Sequence, residues 1–269
     1  TKTNDGHKYI PELYKLRVRN FVVSEMPTST DMYADANFLL VKDPLRALQQ
    51  LAAHHRKKFE IPVIGITGSN GKTIVKEFLY QLLHTEFNIV RSPRSFNSQL
   101  GVPLSVWQIN PKHTLGIFEA GISQPDEMER LQPIIAPTIG IITNIGEAHQ
   151  ENFISTRQKC LEKLQLFQDS EAIIYDGDNA FIANCIEAAC LSHKAIAWSR
   201  TDSEAPLFIK SVDNITVAYD VSLFEAIYYV SGNSGCPNHI FCRNFLPGIE
   251  SCDVSIVGRQ QSFSSNNNA

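Results

Sequence analysis

"GITGSNGKTIVKEF", residues 65–78, follows directly on the apolar run Ile61-Pro62-Val63-Ile64, and its reading decides the fold. Gly65, Gly68 and Gly71 recur every third residue, and Lys72 and Thr73 follow where a strand pattern gives way to a helix pattern. In such a setting the backbone N–H groups of the loop close around phosphate oxygens, and the helix N-terminus adds partial positive charge. Gly68, Ser69, Asn70 and Gly71 would form the cradle, Lys72 would neutralise β/γ-phosphate charge, and the Thr73 hydroxyl would take a Mg2+ position. The widespread form of this loop has a glycine where Ile66 stands, so the match is to a variant, Thr67-Gly68-Ser69-Asn70-Gly71-Lys72-Thr73. A glycine-rich turn with an incidental Lys-Thr is the plain alternative, and the strand–loop–helix context argues against it.

From this loop outward, residues 61–212 alternate apolar strands with helical patterns. The strands read "PVIGIT", "LGIFEAG", "TIGIITNIG", "AIIYDGD" and "KAIAWSR", and helices such as "KTIVKEFLYQLLHTE" and "STRQKCLEKLQLFQD" lie between them. Continuous apolar strands separated by helices predict an α/β fold, a mostly parallel sheet covered on both faces. Ligands bind such sheets outside the carboxyl ends of the strands. The glycine loop, Glu119 and the stretch from Asn144 to His149 all fall at that edge.

Residues 1–60 have a different texture, with short apolar runs ("NFVVSE", "NFLLV") between polar turns. They end in "DPLRALQQLAAHHRKKF", where Asp43 suits a helix cap and Pro44 the first helical position. Leu45, Leu48, Leu51 and Ala52 would line one face of that helix. From about residue 213 sustained periodicity is lost and the chain closes in a Ser/Asn tract, so 213–269 is expected to be a divergent, loop-rich or disordered tail.

Composition narrows the function classes. The 269 residues carry a net charge of -4 and no long basic stripe, which argues against a nucleic-acid binder. No run reaches the roughly 20 apolar residues of a membrane span, and the polar start "TKTNDGHKYI" lacks a signal-peptide core, so a cytoplasmic protein is expected. Of six cysteines, Cys160, Cys185 and Cys190 fall in helical patterns. Cys236, Cys242 and Cys252 gather around His239, but at a spacing that matches no common zinc module, so free thiols are the preferred reading.

Taken singly, the remaining candidates are ambiguous. Glu119, ending "LGIFE", can hold a nucleotide's metal or be a strand-end acid. His149 suits Mg2+ poorly, because that ion prefers oxygen, and a surface role is the plainer reading. Lys163 reads as a solvated helix lysine.

Together the segments resemble the Mur ligase family of ATP-dependent amide ligases. "GITGSNGKT", "FNSQLGVPLSV", "IFEAGISQPDEM", "ITNIGEAHQENF" and "CLEKLQLF" occur in that family's order, and upstream "DGHKYIPELY" and "ANFLLVKDPLRALQQLAAHHR" resemble the end of its UDP-binding domain. The most similar member adds D-alanyl-D-alanine to UDP-N-acetylmuramoyl-tripeptide. The resemblance implies a partial N-terminal domain in 1–60 and a central ATP-binding domain in 61–212. It implies ATP and two Mg2+ ions, with Thr73 and Glu119 at the first ion and His149 at the second. Lys163 would carry CO2 as a carbamate, supplying an anionic oxygen. Asn97 would face substrate or metal, and Asn144 and Asp176-Gly177-Asp178-Asn179 would lie near the nucleoside. The tail from about 213 resembles no family segment, neither the rest of the central domain nor the C-terminal domain, so a truncated chain is expected; a monomer is expected as well. A non-catalytic nucleotide-binding module and another phosphate-loop NTPase are the rivals. The lack of a guanine-reading Asn-Lys-x-Asp motif weighs against a GTPase.

Overall fold

The structure, a computed structural model, describes residues 5–147 and 150–212 and, beyond them, the backbone of four strands. A turn of 3-10 helix, Gly6–Tyr9, leads into α1 (Ile10–Lys15). The two apolar runs that follow become β1 (Asn20–Val23) and β2 (Asn37–Leu40), which pair in parallel as a separate two-stranded sheet. Next comes α2 (Pro44–Arg56), started by the cap read from the sequence: the Asp43 carboxylate accepts from the backbone N–H of Leu45 and Arg46. Its buried line is Gln49, Ala52 and Arg56, and Leu51 is exposed, which corrects the expected stripe. The inward polar groups have partners. Arg56 donates to the carbonyls of Phe59, Ile135 and Ala136, and Gln49 to Gln99.

The main unit alternates β3 (Val63–Thr67), α3 (Lys72–Leu83), β4 (Ile89–Arg91), α4 (Gly101–Val106), β5 (Leu115–Glu119), α5 (Met128–Ile135), β6 (Ile139–Ile142), α6 (Thr156–Leu164), β7 (Ala172–Asp176), α7 (Ala180–Ala188) and β8 (Ala195–Ser199). The sheet runs in the order β4, β5, β3, β6, β7, β8 and then β9 (Leu207–Val212), all parallel. The five apolar strands expected from sequence are all present.

The strands alternate between two apolar clusters, which is why they read as continuously apolar. Ile64 and Ile66 of β3, Leu115 and Ile117 of β5 and Ile139 and Ile141 of β6 pack with Leu79 and Leu83 of α3. Val63, Phe118 and Ile142 point the other way, toward α5, α6 and α7. β3 lies between β5 and β6, with Ile66 opposite Glu119 and Thr67 opposite Ile142. The loop after β3 is therefore flanked by the two strand ends that carry the other candidates.

The sheet continues past residue 212. β10 (Thr216–Val221), β11 (Ala226–Ser231), β12 (Val254–Gly258) and β13 (Gln261–Ser262) extend it by antiparallel pairing. The Cys236, His239, Cys242 and Cys252 group lies outside the described residues. Cys160 and Cys185 sit buried in α6 and α7, whereas Cys190 follows α7 in a left-handed conformation, exposed and not helical. Among the described residues no helix is long and apolar enough to cross a membrane.

Candidate active site

The loop between β3 and α3 is built by its glycines. Gly68 has φ 143° and Gly71 has φ 81°, both in the region that L side chains rarely adopt. A Cβ on Gly68 would lie 1.9 Å from Thr143 Oγ1, so the close approach of the loop to the end of β6 requires glycine there. The contact is held by hydrogen bonds: Thr143 Oγ1 donates to Asn70 O at 2.6 Å, and Gly146 N donates to Ser69 Oγ at 2.9 Å.

Asn144 completes this clasp. Its backbone carbonyl accepts from Ser69 N at 2.7 Å and its side-chain Oδ1 from Asn70 N at 2.9 Å. Asn144 thus shapes the loop from below, and two of the loop's N–H groups are engaged by it.

α2, α6 and α7 each carry a side-chain cap, from Asp43, Ser155 and Asn179, whereas α3, like α1, α4 and α5, has none, its N-cap being Gly71. An uncapped helix start presents N–H groups and partial positive charge outward. Lys72 Nζ folds over the same place, donating to Gly68 O at 2.8 Å and Ser69 O at 3.2 Å. Burial lowers its pKa, and the Glu119 charge pulls the other way.

Thr73 Oγ1 donates to Glu119 Oε2 at 3.0 Å, and Asn97 Nδ2 reaches the same oxygen at 3.4 Å. The other carboxylate oxygen, Oε1, is buried and lies 3.0 Å from Lys76 Nζ, at ion-pair distance but without a hydrogen bond. Thr73, Asn97 and Glu119 therefore form one connected group beside the loop.

Lys163, from the inward face of α6, donates to Gly68 O at 3.2 Å and is 3% exposed. Burial, with the nearby Lys72 and Lys159 charges, brings its pKa down to about 7. The solvated helix lysine read from sequence physics is corrected: this amine is buried, and its surroundings favour the neutral form. Gly68, Ser69, Lys72, Asn97 and Lys163 line one cleft of about 400 Å³, continued by Gln99, Ser123 and Glu127.

Other candidates fall elsewhere. His149 lies outside the described residues. Asp178, in the turn after β7, is occupied by the end of β8 and the residues that follow, accepting from Ser199 Oγ, Thr201 Oγ1 and Arg200 N, which hold its pKa down at about 2. Asn179 caps α7. Neither lines the cleft.

Lys76, Thr143 and Lys159 were not singled out from sequence. Lys76 carried a legible signal: with Leu79 and Leu83 it forms the i, i+3, i+7 line of α3, and an ionisable residue on an apolar stripe implies a buried partner. Lys159, buried on α6, donates to Gly146 O and to Gln150 Oε1. Thr143 had no signal, since its role depends on β6 lying beside β3.

Residues 66–231 match the Mur ligase middle domain family, more than half of the chain. The chain belongs to the Mur ligase family. The match runs past residue 212, through β10 and β11. Over 166 residues the chain is 37% identical to the UDP-N-acetylmuramoyl-tripeptide--D-alanyl-D-alanine ligase of Treponema pallidum, covering 59% of this chain and 36% of that protein. It is 30% identical over 184 residues to the Bacillus subtilis protein of the same name, covering 67% of this chain and 40% of that one. This Mur ligase chain thus matches well under half the length of these relatives. The fold agrees with a crystal structure of MurF from Acinetobacter baumannii, at a TM-score of 0.74 and 23% identity, covering 85% of this chain and 50% of that one. It also agrees with MurF ligase from Thermotoga maritima in complex with ADP, at a TM-score of 0.72 and 22% identity, covering 86% and 53%.

Proposed function

We propose that the chain is the ATP-binding part of an ATP-dependent amide ligase that joins D-alanyl-D-alanine to UDP-N-acetylmuramoyl-tripeptide. The observation that carries this reading is the convergence of Lys72, Lys163 and Asn97 on one cleft beside the start of α3, with Asn97 hydrogen-bonded to the buried Glu119 that also accepts from Thr73. In this reading residues 1–60 are the end of a UDP-substrate domain, the ATP-binding domain begins near residue 61, and the chain works as a cytoplasmic monomer.

The residues suit Mg2+. Thr73 Oγ1 and Glu119 Oε2, 3.0 Å apart, are both oxygens, the donor type Mg2+ prefers, while Oε1 is turned toward the Lys76 ammonium. Among the described residues no group of three His, Cys, Asp or Glu could hold a metal, so phosphate and water oxygens would complete the shell, as is usual for Mg2+. Bound there, Mg2+ would offset charge on the transferring phosphoryl group. The α3 N–H groups and Lys72 would hold the β/γ-phosphates. The tripeptide's terminal carboxylate would attack the γ-phosphorus, releasing ADP. The amine of D-alanyl-D-alanine would then attack the acyl phosphate, releasing phosphate and a proton.

Lys163 fits the carbamate reading. Its neutral amine would add to CO2 with loss of one proton, and the Lys72 and Lys159 cations that disfavour an ammonium there would favour the anion. With His149 it would serve a second Mg2+.

The test is calorimetric titration of Mg-ATP with bicarbonate present, on wild type and on Lys72→Ala, Glu119→Ala and Lys163→Ala, followed by hydroxylamine trapping with the tripeptide substrate. Wild-type binding abolished by Lys72→Ala, with hydroxamate formed, supports the ligase. Binding without hydroxamate identifies a non-catalytic module. ATP turnover that needs no peptide identifies another phosphate-loop NTPase.

A further inference from the structure

Lys76 is fully buried on α3, one turn beyond Lys72. Its ammonium donates to Ser92 O at 2.8 Å and to Arg94 O, and it lies 3.0 Å from Glu119 Oε1 and 3.1 Å from Glu77 Oε1. The first two partners belong to the segment that leaves β4 and leads to Asn97. The third is the carboxylate at the end of β5. From the same segment Ser92 Oγ accepts from Glu119 N at 3.1 Å. One cation thereby joins α3, the segment after β4 and the end of β5, the three places that supply Thr73, Asn97 and Glu119.

As a stabilising device this arrangement is poor. Position 76 continues the Leu79–Leu83 line, where an apolar side chain would pack with no charge to desolvate, and a buried ion pair is often no more stable than its apolar replacement. What a lysine supplies there, and a methionine cannot, is a fixed charge behind Glu119. With Oε1 held toward Lys76, Oε2 is turned to Thr73 and Asn97.

We propose that Lys76 is a positioning residue for the metal side of the cleft. Its ammonium orients Glu119 and the segment carrying Asn97, so that the oxygens available to a divalent cation are set before nucleotide arrives. This inference rests on the Mg-nucleotide reading given above. It concerns metal binding alone, because the ammonium's partners, Ser92, Arg94, Glu77 and Glu119, lie outside the glycine loop.

The experiment is a Mg2+ titration of ADP binding by the full chain, with ADP binding in excess chelator and thermal midpoint measured alongside. The variants are Lys76→Met and Lys76→Arg, with Glu119→Ala as reference. Lys76→Met is expected to raise the Mg2+ concentration for half-saturation about tenfold, the usual cost of losing a partner that orients a ligand. Metal-free ADP affinity should stay within about twofold, since the phosphate cradle is untouched. Lys76→Arg keeps the ion pair and the fold. A fork of planar nitrogens cannot replace one ammonium among these oxygens, so half-saturation should still rise about threefold. Unchanged Mg2+ dependence in either folded variant overturns the proposal. So does a proportional loss of metal-free and metal-bound affinity, which is the mark of a structural role only. Wild type that binds ADP without any Mg2+ dependence, or not at all, overturns the functional reading itself and this inference with it.

Discussion

Lys163 shows how a single side chain changes character when it is buried. Its pKa lies at about 7, against an ordinary value of 10.5, so the folded state binds its proton more weakly than the unfolded state does. Between those two values unfolding takes up a proton, and stability rises with pH. Below about pH 7 the penalty is constant, because both states are protonated. Relative to Lys163→Met, the wild type should gain about 1–2 kcal/mol between pH 7 and 9, measured by denaturant unfolding of both proteins without bicarbonate. A flat difference across that range would mean the amine is solvated. Gly68 makes the other residue-scale prediction. Gly68→Ala sets a Cβ against Thr143 Oγ1 at a positive φ, so the loop must open; ATP binding should be lost while circular dichroism is retained. None of this shows in the sequence at position 163, where the lysine sits among other charged helix residues. The glycine was legible, because a strand, a Gly-x-x-Gly-x-x-Gly repeat and a helix are local features.

At the scale of elements, the starts of α2 and α3 make a contrast. Asp43 closes the N-terminus of α2 with two hydrogen bonds, and Asp43→Ala should cost about 1 kcal/mol in thermal or denaturant unfolding without changing nucleotide affinity. α3 leaves its N-terminus open, and its stability should instead rise on binding an anion, seen as an increase in thermal midpoint with ADP. Caps and apolar strands were readable because each is decided by neighbours within a few residues. α5 was harder. Pro133 lies inside it and interrupts the periodic pattern, yet burial of Met128, Leu131, Ile134 and Ile135 holds the helix. β4, only three residues long, has too little pattern to be seen without β5 beside it.

For the molecule as a whole, Arg56 is one of the ties between α2 and the sheet unit, beside Gln49. Its guanidinium donates to the carbonyls of Phe59, Ile135 and Ala136, linking the end of α2 to the end of α5. Arg56→Met leaves those buried carbonyls without donors and should cost about 2–4 kcal/mol in global unfolding, with one cooperative transition retained if the two parts fold together. Two transitions would show that α2 and the sheet unit are separable. The sequence by itself determined the parallel α/β architecture, the glycine loop, the α2 cap and which strand ends carry polar groups. Those follow from periodicity and local conformational preference, which act over a few residues. Only the tertiary structure decided that β3 lies between β5 and β6, and with it that Glu119 meets Thr73, that Asn144 clasps the loop and that Lys76 and Lys163 are buried. Strand order brings together residues tens of positions apart, and the charge state and contacts of a side chain depend on what surrounds it there.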